Sequence, residues 1–118
     1  MIIADIGQYG ALRGYVINLI QEIVRKLIRE NRHNLTEILN LYSEEEINNA
    51  IELGIRRAGN KVFVQTSGGM GRILRSLEYG TGNTKALHIL TLAVRKVIGG
   101  RVWHTQVTSQ CITKHYKN

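Results

Sequence analysis

Apolar residues recur at helical spacing between residues 8 and 32. Leu12, Val16, Leu19, Ile20, Ile23, Val24, Leu27 and Ile28 fall at i, i+4, i+7, i+8 and onward, one face of a helix roughly six turns long. Arg25, Lys26, Arg29 and Glu30 fall on or beside the other face. Gly14 weakens the first turn and moves the expected start toward Tyr15. Residues 34–42 predict a short helix with Leu35, Ile38, Leu39 and Tyr42 on one side. Ser43-Glu44-Glu45-Glu46 then has the form of a capping box: Ser43 can bond the third helical N–H while Glu46 reaches back, and three acids suit the positive end of the helix dipole. Ile47, Ala50, Ile51, Ile55 and Ala58 continue as a second stripe, which predicts a helix running to Ala58 with Gly59 as its left-handed cap.

The period changes at Lys61. Lys61-Val62-Phe63-Val64-Gln65-Thr66 is β-branched and aromatic and predicts a strand. Ser67-Gly68-Gly69-Met70-Gly71 reads as a mobile connection. Residues 72–79 favour a short helix, and Gly80-Thr81-Gly82-Asn83 breaks the chain again. Asn83 or Thr84 can cap a helix carrying Leu87, Leu90, Ala93, Val94 and Val97 on one face, stopped by Gly99-Gly100. Residues 101–112 predict a last strand, with Trp103, Thr105, Val107 and Cys111 on one face, and residues 113–118 a flexible tail. The expected class is α+β: a long N-terminal helix and further helices packed on a small, mainly antiparallel sheet of two or three strands. All 118 residues form one domain. A sheet this small has open edges, which favour pairing with another subunit.

Charge adds an asymmetry. Residues 1–59 carry seven Lys and Arg against eight acids, whereas residues 60–118 carry nine against one, Glu78. A half at +8 suggests an anionic partner, either nucleic acid or an acidic protein surface. No apolar run approaches the roughly 20 residues of a membrane span, and the first residues lack the basic start of a signal peptide. Cys111 is the only cysteine, so neither an internal disulfide nor a cysteine-based zinc site is expected. His33, His88, His104 and His115 form no HxxxH or HxH pair, and no metal or other cofactor is expected. The glycine-rich run at 67–71 is followed by Arg72-Ile73 where a phosphate-binding loop needs Lys and Ser or Thr. General acid–base chemistry needs two groups placed together, and Glu78 is the one acid of its half. Catalysis is therefore not expected. His88 is expected one turn inside a basic helix, and His104 facing solvent.

The run Leu77-Glu78-Tyr79-Gly80-Thr81, followed by Lys85-Ala86-Leu87-His88-Ile89 and Ala93, resembles the tail-completion (head–tail joining) proteins of tailed bacteriophages. Those proteins are small and basic, open with a long helix, and carry a strand, a Leu-Glu-Phe/Tyr-Gly-Thr turn and an Ala-Pro-His/Phe-Ile entry into a helix. The likeness runs from Lys61 to Gly100. It departs at Leu87, where the family commonly has proline, and at residues 34–59, where helical patterning replaces a Pro-x-x-Thr-Gly-x-Leu segment. The resemblance implies a non-enzymatic virion protein of the neck, present in the host cytoplasm during assembly. It implies a homo-oligomeric ring, commonly six-fold, between the connector and the tail tube, with DNA passing through the lumen and other neck and tail proteins as partners. On that reading Glu78, Tyr79, Gly80, Thr81, Arg72, Arg75, Arg101 and Trp103 belong to assembly contacts, and Lys85, Arg95 and Lys96 face DNA. Glu78 is expected to pair with Arg72, Arg75, Lys85 or a cation of the next subunit, and Gly80 to take a positive φ. The alternative is a small basic nucleic-acid-binding or regulatory module, with Arg95, Lys96 and Arg101 on phosphates and Trp103 or Tyr79 stacking on bases.

Overall fold

The computed structural model describes residues 1–99 and 102–104. Strand β1 is Ile2–Asp5, helix α1 Arg13–Glu30, α2 Thr36–Leu41, α3 Glu44–Gly54, strand β2 Ile55–Ala58, β3 Lys61–Val64, helix α4 Arg72–Tyr79, α5 Ile89–Ile98 and strand β4 Val102–His104. The class is α+β, as the pattern predicts. The sheet has four strands in the order β2-β3-β1-β4, every neighbour antiparallel.

Register explains which face of the sheet is the core face. Val64 lies opposite both Ile2 and Ile55, and Val62 opposite Ala4. These five are at most 1% exposed. On β3 they alternate with half-buried Lys61 and Phe63, the period of a strand with one covered face. The helices lie against that face. Val16, Ile17, Ile20, Val24, Leu27 and Ile28 of α1 are buried there, and α1 packs chiefly on α5, which also contacts α4. The side chains inside are branched aliphatics, so the core is one continuous cluster.

Helix α1 begins at Arg13, near the expected start at Tyr15, and residues Gly7 to Leu12 form two 3-10 turns broken at Gly10, whose φ of 54° and ψ of −124° no helix contains. Other expectations are corrected. The buried stripe of α1 is rotated: Leu12 is exposed and Leu19 only half-buried. The helix expected to reach Ala58 ends at Gly54, and residues 55–58 are β2. Gly54 sits so close to α4 that a Cβ there would lie 2.3 Å from Leu74 Cδ1. The Gly54 carbonyl accepts from Gln65 N–H at 2.8 Å, and the Ile55 carbonyl from the Gln21 side chain at 3.0 Å. Gly59-Asn60 is therefore a two-residue hairpin loop between Ala58 and Lys61. Gly59 does take a positive φ, 59°, while Asn60 does not, as a II′ hairpin requires of its first central residue.

In the 67–71 connection a Cβ on Gly71 would meet the Ser67 carbonyl oxygen at 2.3 Å, so the backbone turns tightly just before α4. And α5 starts at Ile89, not at Asn83 or Thr84. The capping box at Ser43 is present as expected, with Glu46 N–H to Ser43 Oγ at 3.1 Å and Ser43 N–H to Glu46 Oε1 at 2.9 Å. Arg101 and residues 105–118, with Thr105, Val107, Cys111 and the expected tail, lie outside the described residues, as do the side chains of Trp103 and His104.

Candidate interaction face and the turn that builds it

Glu78, in the last turn of α4, is 0% exposed. Its carboxylate accepts from Thr91 N–H at 3.0 Å and from the Thr91 hydroxyl at 2.5 Å, and lies 3.2 Å from His88 Nδ1. Its own carbonyl accepts from His88 N–H at 3.1 Å. Thr91 is the third residue of α5, and the residue before the helix, His88, makes no side-chain cap. Glu78 thus caps α5 from another helix: an anion at the positive end of the dipole, satisfying an N–H that has no partner within the helix. This is a correction to Glu78 as a surface contact, because the charge is buried inside the subunit. Among the described residues the basic group beside it is His88. Lys85 and Arg72 are exposed, and Arg75 donates instead to the Thr66 carbonyl at 3.2 Å.

The intervening turn has little freedom. Gly80 has φ 79° and ψ −171°, a region that glycine alone occupies readily. A Cβ there would sit 2.1 Å from the Thr84 carbonyl oxygen. Thr81 N–H bonds that same oxygen at 3.0 Å, and Thr81 Oγ1 accepts from Thr84 N–H at 3.1 Å. Thr84, expected to cap α5, is consumed by this turn, which is why the helix begins later. His88 closes the loop in a left-handed conformation, φ 53° and ψ 42°. Gly80 and Thr81 therefore build the turn.

The turn joins two exposed helix faces. On α4, Arg72, Arg75 and Tyr79 recur at i, i+3 and i+7 and are all exposed. On α5, Leu92, Arg95 and Lys96 are exposed, following His88 at i+4, i+7 and i+8. Tyr79 and His88 meet edge to face, ring centres 6.4 Å apart. Between the helices an open cleft of about 520 Å³ is lined by Tyr79, Leu87, His88, Thr91, Leu92 and Arg95. Burial, and then the charge of Glu78, hold the Tyr79 phenol above its ordinary pKa. The one acid of residues 60–118 is inside, so this face is cationic with an apolar centre. Among the described residues no acid pairs with Arg72, Lys85, Arg95 or Lys96.

The structure therefore gathers Arg72, Arg75, Tyr79, Arg95 and Lys96 on one surface, with Lys85 exposed on the loop beside it. Residues that pattern reading left out are Thr91 and Leu92. Thr91 carries no local signal, since it lies among buried aliphatics. His88 is at the helix start rather than inside the helix. A larger groove of about 670 Å³ lies between α1, α2 and α3. There Arg25 is held by Glu22 at 2.6 Å and Glu52 at 3.5 Å. Among the described residues no group of three His, Cys, Asp or Glu side chains could hold a metal, and no helix is long and apolar enough to cross a membrane. No family model, no curated protein and no solved structure matches the chain.

Proposed function

We propose that the chain is a non-enzymatic structural subunit of a tailed-phage neck, a tail-completion protein that assembles as a ring between connector and tail tube. The observation that carries the reading is the construction of the Leu77–Thr81 segment, the part of the sequence that resembles that family. Its acid caps a helix from the interior, and its glycine permits a turn that a side chain would block. Residues so placed position two helices. The surface they position is large-featured and cationic, suited to a macromolecular partner and not to a small substrate. The edge strand β2 carries exposed Arg56 and Arg57, charges that oppose indiscriminate strand pairing.

A cationic face that includes Tyr79 also suits a small nucleic-acid-binding module, and one experiment separates the two. Sedimentation and negative-stain imaging of the purified chain should give a closed ring, with weak DNA affinity. A monomer or dimer that binds DNA tightly, with a steep loss in salt, overturns the neck reading in favour of the nucleic-acid module.

A further inference from the structure

We infer that the cationic α4–α5 face receives an acidic peptide segment of a partner protein, one apolar side chain of which seats in the cleft between the two helices. This extends the reading above by naming the partner class of its cationic surface, and it does not depend on ring closure. The cleft is open and about 520 Å³, a size that admits a large side chain. Tyr79 and Leu92, 44% and 43% exposed, line it with half-buried Leu87. Arg95 lines it too, and Arg72, Lys85 and Lys96 are exposed on the same two helices and the loop that joins them. Elsewhere the subunit neutralises cations of its own: Arg25 pairs with Glu22 and Glu52, and Lys61 with Asp5. Here the one acid of residues 60–118, Glu78, is buried at the start of α5. Among the described residues no acid answers Arg72, Lys85, Arg95 or Lys96, so the compensating charge is left to the partner.

The walls of the cleft decide between an acidic protein and a nucleic acid. A base is read by groups that hydrogen-bond its edge. The polar groups here are committed inward: Thr91 gives its N–H and hydroxyl to Glu78, and His88 turns Nδ1 to the same carboxylate. A strand bound without sequence preference stacks its bases on several aromatic rings, and residues 72–99 hold only one Phe, Tyr or Trp, Tyr79. An aliphatic or aromatic side chain, by contrast, leaves water against Leu87, Leu92 and the Tyr79 ring. The cations then form the polar rim usual around a buried anchor. Spacing sets the motif. Arg95 and Lys96 follow Leu92 by about 5–6 Å along α5, and Arg72 precedes Tyr79 by about 10 Å along α4, at about 1.5 Å per residue. An extended peptide advances about 3.3 Å per residue, so its acids fall within about three residues of the anchor, on both sides.

The test is selection from a displayed library of random dodecapeptides with the full chain as bait, followed by fluorescence anisotropy of the enriched peptides. The wild-type chain should enrich peptides with an aromatic or aliphatic residue and acids within three positions of it. Their binding should weaken as salt rises. Arg95→Glu with Lys96→Glu and, separately, Leu92→Ser should each weaken it at least about tenfold. Acids in the last turn of α5 oppose its dipole, so Arg95→Gln with Lys96→Gln serves as a milder variant that should also weaken binding, with circular dichroism to confirm the fold. A library that yields no acidic peptide, or peptides whose binding ignores every variant, overturns the inference. So does a single-stranded thymidine dodecamer that binds at least about tenfold more tightly than any selected peptide and is unaffected by Leu92→Ser, which gives the face to nucleic acid. A chain that forms rings yet enriches no acidic peptide overturns this inference alone. One that enriches them while staying monomeric supports it and overturns the neck reading.

Discussion

A single methyl group at Gly80 probes the turn more directly than any charge change. In Gly80→Ala the new Cβ would lie 2.1 Å from the Thr84 carbonyl oxygen and 2.9 Å from the Lys85 carbonyl carbon, well inside the 3.4–4 Å of ordinary contact. Both neighbours are backbone, so no rotamer change relieves the overlap. The backbone conformation itself costs a side-chain-bearing residue about 1–3 kcal/mol. Moving Thr84 away gives up its bond from Thr81 N–H, worth about 1 kcal/mol, and loosens the loop that returns to Glu78. The sum is about 2–4 kcal/mol, at the upper end of single-substitution effects. With a urea slope of about 1–3 kcal/mol per molar, the unfolding midpoint should fall by at least about 0.7 M. Gly82→Ala is the control. It lies two residues on, with nothing within 4 Å of its Cβ position and no positive φ, so it should leave stability unchanged or raise it by less than about 1 kcal/mol. Equal effects of the two substitutions, or a Gly80→Ala cost below about 0.5 kcal/mol, would refute the steric account of the turn.

Glu78→Ala leaves the Thr91 amide and hydroxyl without this acceptor in the interior and should cost about 3–5 kcal/mol by denaturant titration, whereas Glu78→Gln keeps the shape and should cost about 1–2 kcal/mol; equal costs would mean that Glu78 does not cap α5. In α1, Ile20→Ala should cost about 2–5 kcal/mol because Ile20 is fully buried, while Leu19→Asp should cost about 1 kcal/mol or less because Leu19 is half-exposed; thermal melts that reverse this order would place the core on the wrong side of the helix. Tyr79 is held above its ordinary value of 10.0 by burial and by the Glu78 charge. Its contribution to stability is therefore complete below pH 10.0 and lost as pH rises through the folded-state value. A tyrosinate absorbance titration should show one late-ionising group that Tyr79→Phe removes, and a titration unchanged by that substitution would contradict the placement of the ring.

What the sequence determined by itself is local and periodic. The stripe of α1, the Ser43 capping box, the alternation of β3 and the stop at Gly99 each depend on residues within a turn or a strand of one another, and a pattern of that range is legible without a fold. Gly80 belongs with them, because a glycine between a helix and a break signals a conformation that other residues resist. The hairpin at Gly59-Asn60 was not legible in that way, because a glycine with positive φ serves a helix cap as well as a turn. Ile55 and Ala58 also continue a helical stripe, and only the seat of Gly54 against Leu74 and the bond from Gln65 decide for the strand. β1 carries no alternation, since Ile2, Ile3 and Ala4 are all buried. It is central to the sheet because β3 and β4 arrive from far along the chain to flank it, which no window of sequence contains. Glu78 shows the same division. Its solitude among basic residues marked it, yet whether it faced solvent, a cation or a helix end was settled by where α5 begins. That point is set by a turn consuming Thr84, and the resulting angle between α4 and α5 is what brings Tyr79 and Arg95 to one cleft.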